Sequence, residues 1–236
     1  MIFPSPSGVE GEQPLRAGFS LPRDMLIAPE RAFRLVAATR EWLPAFLIVV
    51  CLGFASVALL APAFANVAVL SAKQDPTAML SARDLPDVGR TALALLVVQA
   101  TLFPVFVWLF TASTLAVIAR FRGVPATFAT FFSLAANAGV ATAIGSLLQG
   151  MAIRLHDPNS YRSLGDIARA LPLNLAIFAP HGTDREINFL SNFDVFTVWS
   201  LVLIGYGISQ LAKMRLIPSL SLSFGIALTL IVLLGI

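Results

Sequence analysis

The sequence predicts an all-α polytopic integral membrane protein with five transmembrane helices, its amino terminus in the cytoplasm and its carboxyl terminus outside. Three observations lead there. Hydrophobic residues make up 57% of the 236 and charged residues only 12%, about half the charged share of a soluble domain. Asp, Glu, Lys and Arg are absent from five long tracts: Trp42 to Ala72, Thr91 to Ala119, Gly123 to Ile153, Val195 to Ala212 and Leu216 to Ile236. No ten-residue alternation of the kind a lipid-embedded barrel needs runs through them, so helices remain as the way to satisfy the backbone in lipid.

Residues 1–27 are rich in Pro, Gly and Ser and carry no period. They are expected to form a disordered cytoplasmic tail, with residues 28–236 as a single membrane domain. No secretory leader is expected, because the first apolar run begins near residue 42 and is too long for one. From Pro29, suited to a first helical position, Ala32, Leu35, Val36, Thr39, Trp42 and Leu43 share a face opposite Glu30, Arg34, Arg40 and Glu41. That pattern predicts an interfacial helix over 29–43, the alternative being a simple extension of the first span. The spans themselves are expected at about 44–68, 91–119, 126–151, 195–212 and 216–236, the fourth being the shortest. Pro104 is expected to kink the second. The uncharged stretch from Ala170 to Thr183 is too short, and too interrupted by Pro172, Asn174 and Pro180, to cross. With Ile167, Leu171, Leu175 and Phe178 as an apolar face, it is expected to lie along the membrane or to dip into it.

Orientation follows from the short loops. Arg120 and Arg122 lie between spans two and three, Lys213 and Arg215 between spans four and five, and neither loop holds an acid. The amino-terminal segment adds Arg16, Arg23, Arg31, Arg34 and Arg40. All of these fall on one side of a five-span chain, which makes that side cytoplasmic.

Composition also narrows function. The formal charge is +3, but the basic residues are scattered, so no nucleic-acid footprint is formed. The single cysteine, Cys51, sits in an apolar run as a small hydrophobe. His156 and His181 lie near Asp157 and Asp184 without the ligand spacing a metal needs. No hydrolase triad, zincin, phosphate-loop or dinucleotide motif is present, and neither a cofactor nor catalysis is expected. No ionisable residue enters a span, which argues against proton pumping and voltage sensing. Gln99, Asn137, Gln149 and Gln210 do enter; they are expected to hydrogen-bond between helices, or, for the first three, to line a polar groove. Small residues recur at four-residue spacing in Ala135, Gly139 and Ala143, in Ser221, Gly225 and Thr229, and in Gly205 and Ser209, as expected of helix packing or self-association.

One segment carries a signature. FDVFTVWSLVLIGYGIS, Phe193 to Ser209, resembles the Phe/Ile-Asp-x-Phe-x-x-Trp...Leu-x-x-x-Gly segment of the Yip domain family, the Ypt/Rab-interacting membrane proteins, in its bacterial branch. APERAFRLV, RFRGVPATFATFFSLAANAG and LPLNLAIF agree in order, and the resemblance spans roughly residues 28 to 236. It implies a five-helix inner-membrane protein with a cytoplasmic amino terminus. Eukaryotic relatives serve vesicle trafficking and bind small GTPases, a role that does not transfer to a cell without Rabs. Asp194, Phe196, Trp199 and Gly205 define the signature: Asp194 is expected to cap the fourth span, Trp199 to anchor near the interface, and Gly205 to admit a neighbouring helix. The leading expectation is a non-enzymatic scaffold acting on lipids or other membrane proteins. A small transporter or lipid translocator using the Gln99, Asn137 and Gln149 groove is the alternative. Reporter fusions after positions 122 and 214 are expected to read cytoplasmic and those after 80, 165 and 236 external; a reversed or even-numbered pattern would contradict the topology.

Overall fold

The computed structural model describes residues 14–74, 84–170 and 173–234, and the regular elements among them are helices joined by turns and one isolated β-bridge. Two short helices, α1 (Pro14–Ile27) and α2 (Pro29–Thr39), precede three long ones, α3 (Leu43–Gln74), α4 (Leu85–Phe121) and α5 (Phe128–Arg154). A folded connection follows, made of a 3₁₀ turn (Pro158–Ser160), α6 (Leu164–Arg169), a second 3₁₀ turn (Leu175–Phe178) and α7 (Asp184–Ser191). The chain ends in the hairpin of α8 (Val195–Leu211) and α9 (Leu216–Leu234).

By length and composition α3, α4, α5 and α9 can each cross a bilayer, and α8 is apolar but shorter, at 17 residues. This is an all-α polytopic membrane architecture. The helices α3 and α4 outrun the expected limits of 44–68 and 91–119. A helix need not stop at the hydrocarbon edge, and the extra turns carry the exposed Lys73, Asp87 and Arg90, the last two paired at 3.1 Å.

The hub of the bundle is α5. Of its most apolar stretch 61% is buried, against 6% for α4, so α5 packs on protein where α4 faces outward. It touches α3, α4 and α8, while α9 rests chiefly on α8. Small residues permit this approach. A side chain on Gly139 would come within 2.6 Å of the Trp108 indole nitrogen on α4, and one on Gly205 within 2.9 Å of the Leu220 backbone on α9. Ala143 is buried beside Ala135, Ala136, Val140 and Trp108. Hydroxyls bind the seams: Ser56 donates to the Ser146 carbonyl at 2.8 Å and Ser223 to that of Leu201 at 2.9 Å. The helix α4 continues through Pro104, whose missing N–H deprives the Ala100 carbonyl of its usual donor; Gly53 of α3 lies against that carbonyl, where a side chain would approach to 3.2 Å.

Three expectations need correction. Gly225 packs on nothing, and with Ser221 and Thr229 it lies on the exposed side of α9; the inward face is one residue class over, at Ser219, Ser223, Ile226 and Leu230. The disorder expected over residues 1–27 does not hold for the second half of that stretch, because Pro14–Ile27 is helical and Leu21 and Met25 are fully buried in the core. Residues 1–13, and Leu171 and Pro172, lie outside the described residues. The interfacial helix stops at Thr39 rather than 43: Arg40 takes a left-handed conformation (φ 55°) and breaks α2 from α3. Its buried residues are Ala32, Phe33 and Val36, and they pack on α1, α5 and α8 rather than on lipid.

Overpacking a close crossing costs about 1–3 kcal/mol. Gly205→Ile and Gly139→Ile are therefore expected to lower the thermal midpoint in a mild detergent, while Gly225→Ile leaves it unchanged. Equal midpoints for all three would contradict the assignment of inward and outward faces.

Candidate functional site

The signature segment forms the elbow where the folded connection enters α8. Asp194 is the N-cap: its carboxylate accepts from the backbone N–H of Phe196 at 2.7 Å, from that of Thr197 at 2.9 Å and from the Thr197 hydroxyl at 2.7 Å. It also pairs, as an isolated antiparallel bridge, with Asn174. Leu175 donates to the Phe193 carbonyl and Val195 to that of Leu173, so two pieces of the signature distant in sequence are held edge to edge. Buried Asn174 donates to the Ala168 carbonyl at 2.6 Å and accepts from the Ala176 N–H at 3.0 Å. Phe196 packs on Gly145 of α5, where a side chain would come within 2.8 Å of the ring. Trp199 is 42% exposed and points out of the bundle.

The connection before this elbow docks on the ends of α3 and α5. Asn66 of α3 donates to the carbonyls of Pro158 and Tyr161, and Tyr161, Ile167, Ile153, Val67 and Ala63 form a small core. Burial raises the Tyr161 phenol above its ordinary pKa. Both short helices begin with reciprocal caps, Ser163 with Asp166 and Thr183 with Glu186. Hydrogen bonds from the Thr183 N–H and hydroxyl hold the Glu186 carboxyl below its ordinary pKa. His181 and Glu186 edge a shallow open depression of about 460 Å³ with Phe178 and Phe189. His156 instead contacts the Ala152 carbonyl at the end of its own helix. Among the described residues, no group of three or more His, Cys, Asp and Glu side chains is placed to hold a metal ion.

The three polar residues expected to line a groove are not brought together. Asn137 is buried and donates to the carbonyls of Glu41 and Ser133; the Ser133 hydroxyl also donates to Glu41, so α5 staples the break between α2 and α3. Gln149 lies three turns along α5, donating to the Ile167 carbonyl at 3.3 Å, and Gln99 is exposed on α4. Two of the three thus serve as hydrogen-bonding links within the fold, and a shared polar groove does not form.

At the end of the bundle that carries α1 and α2, charge collects. Arg23, Arg31, Arg34, Arg40, Arg120, Arg122, Lys213 and Arg215 are all exposed there, against the acids Asp24, Glu30 and Glu41. Largely buried Asp24 faces Arg31 at 3.6 Å, and Glu30 accepts from the Tyr206 hydroxyl of α8 at 3.0 Å. The three tight turns at this end each contain a left-handed residue, Arg40, Gly123 and Lys213. Two of these are cations at helix carboxyl ends, where the dipole favours positive charge.

Some contributors had little signal in the sequence. Gly207 faces Leu134 and Phe33, and Gly145 faces Phe196; an isolated glycine does not announce its neighbour. Removing the Asp194 cap should cost about 0.5–2 kcal/mol. Asp194→Ala is therefore expected to lower the thermal midpoint and to speed amide exchange at Phe196 and Thr197, with Asp194→Asn close to the original; an unchanged alanine variant would contradict the capping role.

A family model, the Yip1 domain, matches residues 23–236. Neither the curated proteins nor the solved structures offer a match. The matched region takes in the last five residues of α1, the α2 platform, the α5 hub and the Asn174–Asp194 elbow, and on that match over nearly its whole length the chain belongs to the Yip1 domain family.

Proposed function

We propose that this Yip1-family membrane protein is a non-catalytic organiser of the bilayer in which it sits. Its basic end faces the cytoplasm and holds anionic lipid headgroups, and through them neighbouring membrane proteins, against the α1 and α2 platform. The observation that carries this is the imbalance of charge between the two ends of the bundle. Eight exposed cations gather beside α1, α2 and the two short loops, where the only acids described are Asp24, Glu30 and Glu41. At the other end, Lys73, Arg90, Arg154, Arg162, Arg169 and Arg185 are matched by Asp84, Asp87, Asp157, Asp166, Glu186 and Asp194. A cation near an anionic leaflet is worth about 1 kcal/mol, so a cluster fixed to rigid helix ends selects acidic lipids without any enclosed site. A polybasic cytoplasmic edge also agrees with the rule that orients membrane proteins. The inner membrane of a bacterium, rich in such lipids, is the setting proposed. A transporter would need a polar path, and Gln99, Asn137 and Gln149 do not supply one together.

Vesicles holding the protein with a trace of fluorescent anionic lipid test this directly. Energy transfer is expected to show anionic lipid enriched around the wild type, and replacing Arg34, Arg120, Arg122 and Arg215 together with Gln is expected to reduce the enrichment about tenfold or more. Solute and lipid flux is expected to match empty vesicles. Indifference to the four substitutions, or substrate-dependent flux, would overturn the proposal.

A further inference from the structure

The segment from Leu173 to Phe178 has an unusual surface for a loop. Leu173, Leu175, Ile177 and Phe178 are exposed, the last by 76%, while Asn174 and Ala176 between them are buried. The bridge to Asp194 pins Asn174, and the 3₁₀ turn Leu175–Phe178 that follows sets Leu175, Ile177 and Phe178 outward and Ala176 inward. The outward apolar surface does not stop at the loop. It runs on through Val195, 58% exposed, to Val198 and Trp199 on the exposed side of α8. Between Arg169 and Asp184 there is no Asp, Glu, Lys or Arg.

Length makes the connection informative. The 17 residues of α8 rise about 26 Å, short of a hydrocarbon core of about 30 Å. A water-filled notch above α8 would leave acyl chains facing the polar connection. An apolar lip bridged to the first residues of α8 supplies the missing depth.

Backbone accounting points the same way. Non-helical chain survives at membrane depth only where its polar groups are paired within the protein. Leu175 and Val195 donate across the bridge, Asn174 satisfies the Ala168 carbonyl and the Ala176 N–H, Ala179 donates to Ala176, and Asp194 takes the first free donors of α8.

We propose that Leu173–Phe178 is a lipid-inserted lip, lying in the hydrocarbon edge of the leaflet opposite α1 and α2, with acyl chains covering Leu175, Phe178 and Val195. The occupant of this surface is the bilayer itself. The lip is independent of any headgroup selection at the basic end.

The test places single cysteines, Leu175→Cys, Phe178→Cys, Val198→Cys and Asn159→Cys, in a Cys51→Ala background. Each is spin-labelled and reconstituted in phosphatidylcholine and phosphatidylglycerol vesicles, then relaxed by dioxygen or by a water-soluble nickel chelate. Labels at 175 and 178 are expected to behave like 198, with dioxygen the stronger relaxant, and label 159 the reverse. Nickel dominance at 175 and 178 would overturn the proposal. So would shielding from both reagents that disappears on dilution with excess lipid, which would assign the surface to a second copy of the chain. Hydroxyl-radical footprinting of the unsubstituted protein in lipid discs gives a second readout without any variant: Phe178 is expected to be spared while His156 is oxidised, and oxidation of Phe178 at a comparable rate would count against insertion.

Discussion

An ionised side chain in hydrocarbon costs several kcal/mol, and nearly every feature of this protein follows from where the chain avoids that cost. Of the five tracts without acidic or basic residues, four form helices long enough to cross a bilayer and one forms the shorter apolar α8, and the charges removed from them accumulate at two ends that differ in character. Once inside lipid, the helices gain nothing from burying apolar surface against one another, since acyl chains are equally apolar. Cohesion must come from close contact and hydrogen bonds. That is why α5, the most enclosed helix, is rich in Ala and Gly, and why the aromatic rings that pack on it, Trp108 and Phe196, sit over Gly139 and Gly145.

The same scarcity of water explains how polar groups are used. Asn137 and Ser133 spend their donors on the Glu41 carbonyl, left free where α2 breaks from α3. Asn174 and Asp194 do the equivalent at the opposite end, where a bridge and a helix start coincide. Each is a buried or half-buried polar side chain answering a backbone group that lipid leaves unsatisfied. The four residues expected from the sequence to mark the family are, in this structure, parts of one joint. Asp194 starts α8, Phe196 seats it on α5, Gly205 admits α9 and Trp199 points out of the bundle.

The spans and the Asp194 cap were legible in the sequence because each depends on the residue and its near neighbours alone. Charge exclusion is decided position by position, and a capping carboxylate needs only the next three residues. What depended on partners was not legible. The α1 segment has helix-breaking Pro22 and no clear period, yet Leu21 and Met25 fill a space provided by distant helices. Phe33 lies beside the apolar face that the sequence of α2 suggests, and its burial is set by Gly207 and Tyr206 of α8. Four-residue spacing marked Gly205 and Gly225 alike, and only the bundle distinguishes the glycine that meets Leu220 from the one that meets nothing. Gln99, Asn137 and Gln149 shared a residue type, which says nothing about whether their helices turn them toward one place.

Native membranes washed at alkaline pH release peripheral proteins and keep only those whose helices cross the lipid, so extraction of this kind addresses the central claim most directly. The chain is expected to stay wholly in the pellet and to need detergent for release. Recovery of folded, monodisperse protein from the wash after high-speed centrifugation, with no detergent present, would contradict the account.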